Sequence, residues 1–160
     1  MKRYIRCHMV EATPMTRGAY NKKRGWTLPK DENPKDKGYL VKYPDGYVSW
    51  CPKAQFEAAG RPVDGMTFGM AIEAMKQGKK VARAGWNGKG MWLCIPLVDG
   101  PKEIPVTGVW GKPNAEYAKA NGGTVKVVPY ITMKAANGSI VMGWLASQTD
   151  MLSDDWVVVE

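Results

Sequence analysis

MTFGMAIEAMKQGKKVARAGWNGKG, residues 66–90, decides the fold. Phe68, Ile72 and Met75 fall at i, i+4 and i+7 with Ala71 between them, whereas Glu73, Lys76 and Gln77 fall off that face. This spacing predicts a helix over residues 67–77 with one apolar stripe. Gly78 stands where a glycine closes a helix, because the left-handed backbone needed there costs a residue without Cβ very little. KKVAR, residues 79–83, then reads as a strand, and Gly85-Trp86-Asn87-Gly88-Lys89-Gly90 as a turn. A helix apolar on one side only, followed at once by a strand, has to cover a sheet.

Downstream, MWLCI (91–95), KVVPYITMK (126–134), SIVMGW (139–144) and WVVVE (156–160) read as further strands, with Asn137-Gly138 supplying a tight hairpin turn. The expected class is α+β, one helix packed on a twisted antiparallel sheet. Residues 97–123 interrupt it with a stretch rich in Gly, Pro, Asn and Lys, containing a short helix candidate, PNAEYAKA. A connection of that length is expected to be either functional or loosely ordered. Upstream, GYLVKY (38–43) and YVSW (47–50) flank Pro44-Asp45-Gly46, a hairpin signal. Residues 22–37 read as a solvated loop and residues 52–59 as a short helix, after which Gly60-Arg61-Pro62 ends the segment. Two parts result: a small basic β-rich module over 1–65 and an α+β domain over 66–160.

The chain has 160 residues, 44% of them apolar, which suffices for one domain or two small ones. Its 23 Lys and Arg against 15 Asp and Glu give a net charge of +8. The excess is uneven, since residues 1–65 hold 13 basic and 7 acidic groups and the remainder 10 and 8. Such a balance favours phosphate-bearing partners. No apolar run approaches the roughly 18 residues of a membrane span, and the N-terminus lacks a secretory apolar core, so a soluble protein that is not exported is expected. Cys7, Cys51 and Cys94 are an odd number at wide spacings, which offers neither a disulfide framework nor a C-x-x-C metal or redox site. Cys94 reads as a small core hydrophobe.

Motifs for catalysis are lacking. The single histidine, His8, lies near the N-terminus; the Gly-Lys pairs at Gly78, Gly88 and Gly111 lack the glycine and hydroxyl residue of a P-loop; and no nucleophile elbow or dinucleotide turn occurs. Asp154 and Asp155 are adjacent, and neighbouring side chains do not converge as an acid–base pair does; they read as loop or capping acids. No catalytic residue, cofactor or metal ligand is assigned. Binding features are richer, because seven Trp and seven Tyr outnumber two Phe, and these rings join a flat stacking face to a polar handle. Trp92, Trp110 and Trp156 read as core. Trp86 differs, presented with Asn87, Gly88 and Lys89 in a turn whose successive N–H groups suit an anion. In WLASQTDMLSDDW, residues 144–156, Trp144 is placed to stack and Ser147, Gln148, Thr149 and Asp150 to hydrogen-bond ribose or base edges, although helix N-capping explains the same Ser, Thr and Asp cluster.

These two segments, 66–90 and 144–156, resemble the opening and closing motifs of the second type of Thoeris anti-defence protein, a family of small phage proteins. The resemblance implies a sponge: a protein that holds a cyclic ADP-ribose-derived immune messenger (glycocyclic ADP-ribose) without cleaving it, in the cytoplasm of the infected bacterium. It further implies a homotetramer with pockets between protomers and, in some members, capture of cyclic di- or trinucleotides of CBASS-type defence. On it, Trp86, Asn87, Gly88, Lys89, Tyr130, Trp144, Ser147, Gln148, Thr149 and Asp150 are the expected ligand contacts. Arg17, Lys22, Lys23, Arg24 and Trp26, outside the resemblance, form a basic and aromatic group that reads either as a solvated basic loop or as a site for a second, larger anionic ligand such as a cyclic oligonucleotide. Single-stranded nucleic-acid binding, messenger cleavage and a structural role in the virion are the competing readings.

Overall fold

The computed structural model describes Lys2 and residues 7–160. The chain divides into two compact units, residues 1–62 and 63–160.

The first unit contains β1 (Glu11–Thr16), α1 (Arg17–Arg24), β2 (Lys37–Lys42), β3 (Val48–Pro52) and α2 (Lys53–Ala59). The expected hairpin is β2–β3, closed with Gly46 at φ 84°. A third strand, β1, pairs antiparallel with β2, which therefore lies in the middle. Pro14 hides β1 from sequence patterning, yet an edge strand tolerates a residue with no N–H to give. Helix α1 replaces the start of the expected loop. Thr16 caps it by accepting from Ala19 N–H at 3.3 Å, and Gly25 ends it at φ 70°. Tyr20 and Asn21 on α1 are buried, with Val41 of β2.

The second unit is the α+β domain. Helix α3 (Phe68–Lys76) is capped by Thr67, whose hydroxyl accepts from Met70 N–H at 3.3 Å, and Gly78 follows at φ 78°. Its apolar stripe, with Ala71, Ala74 and Met75 buried, covers the sheet at β4 (Lys80–Arg83) and β10 (Trp156–Val159). Beyond them lie β5 (Trp92–Cys94), β8 (Thr132–Lys134) and β9 (Ile140–Met142), so the antiparallel order is β10-β4-β5-β8-β9. Val81 and Leu93 face one another in register, both fully buried.

Expectations of strand continuity and of burial are corrected here. KVVPYITMK is not one strand: β7 (Thr124–Val127) ends before Pro129, and only Thr132–Lys134 joins the large sheet. Proline has no N–H for the ladder, so the chain changes sheets at that point. The 97–123 stretch contains regular structure. β6 (Lys102–Pro105) pairs with β7, and α4 (Lys112–Ala120) packs between them in sequence with Ala118 buried. Trp110, expected in the core, is 75% exposed there; Trp92 and Cys94 are half-buried, and Trp156 alone of the three expected core tryptophans is fully buried.

Candidate functional site

Three segments meet beside the α3 end of the sheet: the turn after β4, the stretch after β9, and α5 (Gln148–Leu152) with its run into β10. Four rings gather there. Trp156 forms the floor, with Trp86 5.5 Å away at 76°, Trp144 6.4 Å away at 79° and Phe68 5.3 Å away. Trp86 and Trp144 stand 6.2 Å apart at 66°, and both are half-buried, so each keeps part of its ring toward solvent. Edge-to-face contacts of this kind suit the ring quadrupole and hold each ring in one orientation. Trp144 is brought in because its N–H and that of Gly143, at φ 84°, both bond to Ile131 O. Tyr130, half-buried, precedes that anchor.

A polar network fixes the turn beneath these rings. Asp150 accepts from the Trp86 indole N–H at 3.1 Å, Arg83 Nη1 at 3.1 Å, Ser147 N–H at 3.0 Å and Ser147 Oγ at 2.7 Å. Ser147 Oγ in turn accepts from Asp150 N–H at 3.1 Å, making a reciprocal cap on α5. Asp155 takes the other side of Arg83, with Nε at 2.8 Å and Nη2 at 3.3 Å, and accepts from Gly85 N–H at 2.8 Å. The bond from Arg83 dominates in holding the Asp155 carboxyl below the usual carboxylate range. For Asp150 burial is the largest influence and opposes ionisation, but the bonds from Ser147, Trp86 and Arg83 together outweigh it and the carboxyl is lowered. Between two carboxylates the Arg83 guanidinium is raised, chiefly by the Asp155 bond.

This geometry sorts the residues expected to touch ligand. Trp86, Trp144, Ser147 and Asp150 are brought together. Asp150 is buried, however, and its acceptor sites are taken by protein donors, so it orients Trp86 where the sequence reading had it accept from ribose. Asn87 and Lys89 are exposed on the turn, and Gln148 and Thr149 are exposed on the first turn of α5. Gly88 answers to packing: a Cβ there would overlap Met91 Sδ and lie 3.0 Å from Ala136 Cβ. Arg83, Asp155 and Phe68 are the members that sequence reasoning missed. Adjacent Asp154-Asp155 read as loop acids, and nothing local ties Asp155 to a strand seventy residues upstream.

In the first unit Arg17 is not a free cation. Its guanidinium grips Glu32, with Nη2–Oε1 at 2.7 Å, and sits 5.1 Å above the Trp50 ring. The pair lines an open groove of about 620 Å³ with Asp36, Lys37 and Lys53. Lys22, Lys23, Arg24 and Trp26 lie at the other end of α1.

Two half-buried tryptophans on an α+β scaffold, beside a part-buried Arg–carboxylate network, are what the second unit brings together here. Residues 66–159 match the Thoeris anti-defense 2-like domain, and the chain belongs to that family. It is similar to Thoeris anti-defense 2 of Bacillus phage SP01, with 37% identity over 95 residues that make up 59% of this chain and 94% of that protein. The matched stretch contains every member of the ring cluster and of its polar network.

Proposed function

We propose that this protein is a phage anti-defence protein that sequesters a cyclic ADP-ribose-derived immune messenger, glycocyclic ADP-ribose, inside the infected bacterium and releases it unchanged. The observation that carries the reading is the pairing of Trp86 and Trp144 within the family-matched stretch. Trp86, held by its bond to Asp150, and Trp144, which meets it edge-on at 6.2 Å, each offer stacking surface for an adenine, and Asn87, Lys89, Gln148 and Thr149 stand exposed on the same two segments for ribose and phosphate. A nanomolar sponge needs about 12 kcal/mol, and one base stack supplies ~1–3 kcal/mol. Two stacks with phosphate contacts and near-complete enclosure are therefore required. Enclosure favours assembly: Ile140, Val141 and Met142 of edge strand β9 are all exposed, as is Leu145 at 88%, an apolar edge that suits a homo-oligomer, a tetramer on the family resemblance. Capture of cyclic di- or trinucleotides is a further property the same proposal admits. Among the described residues no helix is long and apolar enough to cross a membrane.

The test is direct. Purified protein is mixed with the messenger and filtered, and the retained fraction is heat-denatured and assayed. Intact messenger released only on heating is the expected result; a cleaved product would make the protein an enzyme, and no retention would end the reading. Trp86→Ala is expected to weaken messenger binding about tenfold or more, in line with loss of one stack, with the oligomer intact by light scattering. Trp86→Phe, which keeps a ring but loses the bond to Asp150, should fall between. Unchanged affinity by calorimetry for both variants would remove Trp86 from the site.

A further inference from the structure

We propose that the N-terminal unit carries a binding surface for single-stranded nucleic acid, built on Trp26 with Lys22, Lys23 and Arg24. This surface lies outside the family-matched residues and does not rest on the messenger reading.

Charge gives the first observation. Helix α1 ends in three consecutive cations, Lys22, Lys23 and Arg24. A helix C-terminus carries about half a negative charge, which one cation already offsets. Elsewhere in this unit Arg17, Lys42 and Lys53 are matched by Glu32, Glu11 and Glu57. Among the described residues no carboxylate forms an ion pair with Lys22, Lys23 or Arg24, so their charge is available to phosphates.

Aromatic placement gives the second. The Arg24 guanidinium sits 4.7 Å above the Trp26 ring, which is still 54% exposed. Trp26 meets Tyr20 edge-on at 6.1 Å, and the buried Tyr20 reaches with its hydroxyl to Val48 O at 3.4 Å. Next to Val48, Tyr47 is 63% exposed and lies 5.7 Å from Tyr43, whose ring is 5.4 Å from His8. Two groups of rings result: Trp26 against the buried Tyr20 at the cationic end of α1, and Tyr47, Tyr43 and His8 at the β2–β3 turn, where the Tyr20 hydroxyl reaches the backbone of Val48.

Single strands present both base faces and phosphates, and stacking on aromatic rings beside a basic track is how they are held without sequence preference. A duplex hides its base faces. Trp26 and Tyr47 are the exposed large apolar side chains of this unit among the described residues, and no large aliphatic side chain of the unit is exposed among them. A membrane or an apolar protein partner would need such side chains.

The test uses the full chain and fluorescence anisotropy with labelled oligothymidylate, oligouridylate and a duplex, each of about 15 nucleotides, the span of a typical single-strand site. Either single strand should bind more tightly than the duplex, and the two arms show which sugar is preferred. The triple variant K22Q/K23Q/R24Q should lower the salt slope by about 2, three phosphate contacts at roughly 0.7 each. Trp26→Ala should weaken binding about fivefold or more, with partial recovery in Trp26→Phe. Messenger retention should be unchanged in all of these variants, which separates this surface from the site in the second unit. Equal binding of duplex and single strand, no oligonucleotide binding, or full affinity in Trp26→Ala would overturn the proposal.

Discussion

Trp156→Ala is expected to cost the 63–160 unit about 3–5 kcal/mol, the range for deleting a large buried ring. Trp156 is 0% exposed, touches Phe68, Trp86 and Trp144, and donates its indole N–H to Asp150 O at 2.9 Å. Its backbone also bonds to Met66 in both directions, at 2.8 and 3.1 Å, tying the start of the unit to its last strand. Against a total stability of about 5–15 kcal/mol for an ordinary domain, such a loss leaves little. Urea melts followed by circular dichroism measure it, and a loss below about 1 kcal/mol would show that the neighbouring rings collapse into the space. Trp156→Phe should retain much of the packing but forfeit the bond to Asp150.

Arg83→Leu is the second large effect, expected to destabilise by about 3 kcal/mol or more at neutral pH because it strands a buried carboxylate. The Arg83 and Asp150 side chains are each 12% exposed, and Asp155 is 33% exposed. Acid separates this variant from a simple packing loss. In the native protein both carboxyls are lowered below their ordinary value of 3.8. The stability they contribute is therefore complete above about pH 4 and is lost as pH falls through their folded values. Without Arg83, burial acts on Asp150 with less opposition, its carboxyl rises, and protonation relieves the site. The gap in melting temperature between native protein and Arg83→Leu should accordingly narrow on going from about pH 7 to about pH 3. A constant gap would mean that Arg83 acts through packing alone.

The elements written in local patterns were readable in advance. The stripe of Phe68, Ala71, Ile72 and Met75 with Gly78 behind it marked α3, and Asp45-Gly46 and Asn137-Gly138 marked two hairpins, because caps and tight turns are decided by residues adjacent in sequence. Several elements escaped, and proline or weak helix formers account for three of them. Pro14 masked edge strand β1, Gly18 and Asn21 are weak helix formers that α1 tolerates under its Thr16 cap, and Pro129 split a run that periodicity alone reads as continuous. Trp110 was misplaced because a tryptophan in a Gly- and Pro-rich stretch carries no period from which burial can be read.

At the site, residue types were legible and roles were not. A Trp in a glycine turn and a Ser-x-x-Asp cap can be seen in the order of residues, and the cap is present as Ser147 and Asp150. That the same Asp150 also takes the Trp86 indole, and shares Arg83 with Asp155, depends on contacts spanning 64 to 72 residues. The linear chain of this protein settles its α+β class, its basic N-terminal half, its caps and its turns, since each depends on interactions within a few residues. Only the tertiary structure settles that β10 lies against β4 and so carries Asp155 to Arg83 and Trp156 under Trp86. Strand pairing is a competition among all the apolar strands of the chain, and no local spacing records which pair wins.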